Sequence, residues 1–266
     1  MKAKILAFPL LKGSGPKTTA AVETCNTLVW NSVNASKGKD GKKVLLVDLD
    51  PQVVCSTRYL GLDPDKAMPN LYHVFLKKVP VRDAIKKVPF GFDVLPSNSL
   101  FDAIDEALEK KDDLLLRETL NDLRHDYDYI IIDPPPGRRR LTINAILAAD
   151  FLIIPITAES TGLEAASHTI RFVQEVLAAD YPEIIANQGL KILFARYRRS
   201  RNSHAPGTFQ AAKKVYGNNV LDFRVPDTLE FPRSYGKRQP LTYRLPEHAG
   251  AKVYSDFAKW VINNIQ

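Results

Sequence analysis

Residues 3–19, "AKILAFPLLKGSGPKTT", decide how the rest of the chain is read. A run rich in apolar residues, 3–8, gives way to a loop holding Gly13, Ser14 and Gly15, then to Lys17, Thr18 and Thr19 at the head of a helical pattern over 18–34. A buried strand that delivers such a loop to a helix N-terminus aims several backbone N–H groups at one spot, and the helix end adds positive potential there. Lys17 is placed to neutralise phosphate oxygens, and the Thr18 hydroxyl to ligate Mg²⁺. One position departs from the pattern: Pro16 stands where these loops carry Gly before the lysine.

Further strands are expected at 43–47, 92–96, 129–132, 151–156 and 191–195, all nearly continuous apolar runs, which implies burial on both faces. Helical patterns at 99–124 (with a break), 140–148, 161–179, 205–216 and 248–264 alternate with them. The fold class is therefore α/β: a doubly wound, mostly parallel sheet with helices on both faces, in one domain over 1–266. Residues 34–43 read as a polar loop, and Ser160 and Thr161 as N-caps. The stripe Val253, Phe257, Trp260, Val261 and Ile265 suits packing on the sheet better than a membrane surface, because its polar face holds few cations.

The chain of 266 residues is 45% hydrophobic and 25% charged, and no stretch is long and apolar enough to span a bilayer. The basic, apolar N-terminus lacks a small-residue cleavage site, so it reads as a first strand and not as a leader. Cys25 and Cys55 have no metal-type spacing and suit buried thiols in a reducing cytoplasm; the five histidines show no ligand spacing either. The formal charge of +7 is concentrated. Residues 191–244 hold twelve lysines or arginines against three acids, a net +9. Such a face attracts a polyanion, nucleic acid or anionic lipid; the alternative is a solvated surface whose counter-charges come from elsewhere in the fold.

Two acidic motifs join the loop. "VLLVDLDPQ" places Asp48 and Asp50 at the carboxyl end of a strand, where open parallel sheets bind ligands; capping the next turn is the competing reading. "YDYIIIDPPPG" ends a strand in Asp133, the form of a Walker B acid, followed by a rigid turn at 134–137 that suits a γ-phosphate sensor.

With "ADFLIIPITAESTGLEAA" these segments resemble the deviant Walker A ATPases of the ParA/MinD type, and "FPRSYGKRQPLTYRLPEHAGAKVYSDFAKWV" is similar to the C-terminal region of ParA partition proteins. The resemblance implies ATP and Mg²⁺ as cofactors. Gly13, Ser14, Gly15, Pro16, Lys17, Thr18, Thr19 and Pro226 would contact the nucleotide, with Thr18, Asp48 and Asp133 at the metal. Lys12 occupies the place of the family's signature lysine and would reach a partner's nucleotide across an ATP-dependent homodimer, while Asp50 would orient the attacking water. Arg224, Arg233, Lys237, Arg238 and Arg244 match best the late basic residues that bind double-stranded DNA nonspecifically. Arg196, Arg198, Arg199 and Arg201 could line the base, meet DNA or be solvated.

The implied function is a cytoplasmic, nucleoid-associated ATPase that segregates plasmid or chromosome DNA, its weak hydrolysis stimulated by a small ParB-type adaptor, with no membrane role. The same switch moving a protein organelle such as a carboxysome is a variant that sequence cannot separate. A membrane-bound MinD-like regulator and a non-hydrolysing nucleotide-binding adaptor are the other readings, the last motivated by Pro16. Amidating ligases and nitrogenase-type reductases of the same superfamily fit less well, since the cysteines lack cluster spacing and the basic tail has no role there. No helix-turn-helix precedes the first strand, so autoregulation by this chain is not expected.

Pro16 removes one N–H from the cradle, and a lost charge-assisted hydrogen bond costs about 1.5 to 3 kcal/mol. Gly15 is expected to supply the backbone freedom that Pro16 lacks, leaving a cradle that still holds ATP.

Overall fold

The computed structural model describes residues 2–13, 15–35, 41–52, 55–198 and 204–265. From the N-terminus, β1 (Lys4–Ala7), α1 (Lys17–Ala35) and β2 (Val44–Asp48) are followed by α2 (Ser56–Tyr59) and α3 (Leu71–Phe75). Next come β3 (Lys86–Lys87), β4 (Asp93–Leu95), α4 (Phe101–Ala107), α5 (Leu115–Asn121), β5 (Tyr129–Asp133) and α6 (Arg140–Ala148). After β6 (Phe151–Thr157), α7 (Ser160–Arg171) runs through a π-helical stretch, Phe172–Leu177, into α8 (Ala178–Asp180) and then α9 (Pro182–Ala186). The chain closes with β7 (Gly189–Tyr197), α10 (Ala205–Tyr216), β8 (Val220–Pro226), α11 (Glu230–Gly236), α12 (Leu241–Arg244) and α13 (Ala249–Asn264).

The eight strands form one sheet in the order β3-β4-β2-β5-β1-β6-β7-β8, parallel throughout except for β3 against β4. The doubly wound α/β reading thus holds. Expected strands and helices are found within a few residues, but strict βα alternation fails at the β3–β4 pair and along the run from β8 to α13. β8 escaped the sequence reading because it is an edge strand: Asp222 and Arg224 face solvent and break the apolar run. Glu159, not Ser160 or Thr161, stands at the N-cap of α7, and no side chain caps that helix.

Both sheet faces are packed. Leu6, Leu46 and Ile131 meet α1 and α13 on one side, and Ile5, Leu45 and Ile130 meet α4, α5 and α6 on the other. Of the expected α13 stripe, Phe257, Val261 and Ile265 are buried, while Val253 and Trp260 are half-buried and pack against the same core, which Tyr254 and Ala258 also join. No helix among the described residues is long and apolar enough to cross a membrane. Cys25 and Cys55 are free and buried.

Candidate nucleotide site

The central strands β2, β5 and β1 end at one edge, and the side chains expected to carry chemistry collect there. Pro16 immediately precedes α1, and its carbonyl accepts the Ala20 N–H at 2.9 Å, the first bond of the helix. A proline is well suited to that place, because the N–H groups of a first helical turn have no intrahelical acceptor. Gly15 does not supply left-handed freedom. The buried Leu10 side chain packs close against it: a Cβ there would meet the Leu10 Cδ2 at 2.2 Å, so a side chain at this position would have to displace that leucine. Ser14 lies outside the described residues.

Lys17 opens α1 and is buried, at 4% exposure. Burial pushes its ammonium below the ordinary lysine value, and the carboxylates of Asp133 and Asp50 push back. Asp48 and Asp133 are register partners on β2 and β5, both fully buried. Asp48 spends both oxygens on its own chain: Oδ1 accepts the Asp50 N–H at 3.0 Å, and Oδ2 accepts the Thr57 N–H at 2.7 Å and its hydroxyl at 2.6 Å. Asp133 takes the Ser56 hydroxyl on Oδ2 at 2.5 Å, while its buried Oδ1 has no protein partner. Burial raises all three carboxyls: Asp48 to about 7 and Asp50 to about 6, each helped by the charge of Asp133, and Asp133 itself upward against the pull of Ser56, Lys17 and Thr18.

An orphaned carboxylate oxygen beside a threonine hydroxyl and a buried lysine fits a hydrated divalent cation with a polyphosphate. Among the described residues no group of three His, Cys, Asp or Glu could hold a metal ion alone, so Asp133 and Thr18 would share the metal with water and phosphate. Asp48 instead reads as the anchor of α2. The pair Ser56 and Thr57 was not singled out from sequence; its signal was a Ser-Thr dipeptide shortly after "DLDPQ".

The turn after β5 joins the loop directly. Gly137, at φ +90°, donates its N–H to the Leu11 carbonyl at 2.9 Å, and Leu11 N–H reaches the Thr169 hydroxyl at 3.2 Å. Arg139 pairs with Asp105 at 2.7 Å and with Asp102, pinning the turn to α4.

Beside the start of α1 opens a cavity of about 630 Å³, a volume in the range of small-molecule sites. Gly15, Pro16 and Thr19 form one wall; Arg196, Arg198, Asp227 and Tyr235 contribute to the rest. Asp227 is held by Arg198 at 2.5 Å and Arg196 at 3.5 Å. Its neighbour Pro226, expected at the nucleotide, ends β8 between the lining residues Val225 and Asp227 but is not itself part of the wall. Lys12 and Gly13 are exposed and line a separate recess with Arg196 and Thr157. Arg199 and Arg201 lie outside the described residues.

The basic segment is less free than its net charge suggests. Glu230 pairs with Arg233 at 2.6 Å and with Arg244, and Asp222 with Lys213 at 2.9 Å. Arg224 lies 4.1 Å over the Phe209 ring. Among the described residues Lys237 and Arg238 are exposed and form no ion pair.

A family model described as an AAA domain matches residues 3–192. The chromosome partitioning protein ParA of Caulobacter vibrioides is 29% identical over 265 residues, 98% of this chain and 94% of that protein. The sporulation initiation inhibitor protein Soj of Bacillus subtilis is 31% identical over 267 residues, 98% of this chain and 99% of that protein. Among solved structures, cobyrinic acid a,c-diamide synthase from Mycobacterium smegmatis with bound ATP analog and magnesium superimposes with a TM-score of 0.80 at 26% identity, covering 99% of this chain and 96% of that one. With the loop, the strand-end aspartates and the sheet order in place, the chain belongs to the ParA/MinD-type family of P-loop ATPases.

Proposed function

We propose that this chain, acting as one domain over residues 1–266, is an ATP-driven positioning switch. Two copies close around two ATP·Mg²⁺, and the closed pair holds duplex DNA without sequence preference to segregate plasmid or chromosome DNA. One contrast carries the reading. Lys17 is buried among carboxylates, whereas Lys12, five residues earlier on the same loop, is exposed and without an ion pair among the described residues. A cation left on the rim suits a phosphate presented by a second copy.

Bound ATP·Mg²⁺ supplies the transferable phosphoryl group and the charge that organises it. Lys17 neutralises the β- and γ-phosphates; Thr18 and the free oxygen of Asp133 take the metal. Asp50, with a pKa raised to about 6, stays ionised at neutral pH yet is a better proton acceptor than a solvated aspartate, which suits orienting water. Weak turnover stimulated by a small ParB-type adaptor makes the pair a timer in the nucleoid-associated cytoplasmic pool. Lys237 and Arg238 lead the DNA contacts, with Arg224, Arg233 and Arg244 secondary, and doubling the surface in a dimer makes binding steep in nucleotide and in salt. The names of the ParA and Soj relatives and the local +9 charge support this reading. A MinD-like membrane anchor gains no support from α13, whose apolar stripe already packs against the core.

The test is duplex-DNA binding by anisotropy at low salt, with ATP·Mg²⁺ or ADP, alongside sedimentation and phosphate release. Dimerisation and DNA binding only with ATP, and turnover abolished by Asp50→Ala, are expected. A monomer indifferent to DNA in ATP·Mg²⁺ sinks the proposal.

A further inference from the structure

Glu23 lies on α1, six residues beyond Lys17, and is fully buried. A buried carboxylate must have its oxygens filled, and here the donors come from two different segments. Tyr59 Oη donates to Oε1 at 2.8 Å; the Leu241 N–H reaches the same oxygen at 2.8 Å and the Thr242 N–H reaches Oε2 at 2.9 Å. Asn26, one turn further along α1, donates to the Thr242 hydroxyl at 2.8 Å.

Each segment has a function-bearing neighbour. Tyr59 closes α2, whose first residues Ser56 and Thr57 hold Asp133 and Asp48. Leu241 and Thr242 open α12, which follows the turn bearing the exposed cations Lys237 and Arg238. The two segments also touch directly. The Tyr59 ring lies 5.2 Å from Tyr235 of α11, and a Cβ on Gly61 would sit 3.6 Å from that of Arg238.

We propose that Tyr59 and Glu23 are positioning residues that tie occupancy of the phosphate site to the placement of the basic turn at 237–244. The inference rests on the nucleotide reading above. A helix of four residues has little stability of its own, so its side-chain bonds set where it sits. One turn moves as a unit: when a metal and phosphate engage Asp133 and shift Ser56, Tyr59 shifts with it. Glu23 passes that shift to the two amides that start α12. The network thus supplies a contiguous hydrogen-bonded connection between a nucleotide-site carboxylate and the cationic turn.

Amide hydrogen exchange of the full chain at 237–244, with and without ATPγS·Mg²⁺, tests the link. In the wild type, bound nucleotide changes exchange at Leu241 and Thr242 by about fivefold or more. In Tyr59→Phe, which keeps the ring and loses the donor, the change falls below about twofold while affinity for a fluorescent ATP analogue is retained. Glu23→Gln, of similar size, gives the same loss. A nucleotide-induced change that survives in both variants overturns the link, as does a wild type that binds nucleotide without altering 237–244. Failure of the wild type to bind nucleotide sinks the site reading itself, and this inference with it.

Discussion

Asp48 and Asp133 stand side by side as register partners at the ends of β2 and β5, yet only Asp133 has an oxygen without a protein donor. Their substitutions therefore separate. Asp133→Asn removes the metal's carboxylate and lowers Mg²⁺-dependent nucleotide affinity at least about tenfold, with a small change in melting temperature. Asp48→Asn turns an amide N–H₂ toward the Thr57 donors and destabilises the fold by about 1 to 3 kcal/mol. Calorimetric titration with and without Mg²⁺, together with thermal melts, checks both; equal stability losses refute the division of roles.

Lys12 and Lys17 share a loop but differ in exposure, and their alanine variants differ accordingly. Lys17→Ala abolishes nucleotide binding. Lys12→Ala leaves binding by the monomer little changed but lowers dimerisation and turnover about tenfold or more. Analytical ultracentrifugation with ATP·Mg²⁺ is the decisive measurement, and normal dimerisation of Lys12→Ala refutes the trans role.

Pro16→Gly restores one backbone donor and tightens ATP binding by about tenfold. It also loses the residue pre-shaped for a helix start, so the apo melting temperature falls slightly. Unchanged or weaker affinity counts against the missing donor as the defect in this loop.

Glu23 gives a pH dependence of defined sign. Burial raises its pKa above the ordinary carboxylate value, so its favourable contribution is complete below that value and is lost as pH rises through the higher folded one. Glu23→Gln removes this titration. The variant's stability relative to wild type therefore improves from pH 4 to pH 8, which urea unfolding across that range measures; a constant difference refutes it.

Cations that are unpaired outweigh those already spent. Lys237→Ala or Arg238→Ala weakens duplex binding and reduces the salt slope by about one. Arg233→Ala has a smaller effect, because Glu230 already accepts its guanidinium. Titrations at several salt concentrations distinguish them.

Much of this protein is written in local pattern. The apolar runs that became β1, β2, β5, β6 and the middle of β7 are mostly buried on both faces, so the period-free signal survives without tertiary knowledge. Strand-end aspartates and a glycine loop before Lys-Thr-Thr carry their chemistry in residue type and spacing. The short helices α2, α11 and α12 escaped, because four to seven residues show too little periodicity to stand out.

Sequence alone was enough for the α/β class, the phosphate loop and the family. It could not divide the work between Asp48 and Asp133, nor reveal that Glu230 neutralises two of the expected DNA-binding arginines. It also could not reveal that the Leu10 side chain packs against Gly15. Those distinctions depend on which donors reach which oxygens, and in a crossover fold those partners come from segments up to about two hundred residues away, as Glu23 and Thr242 do.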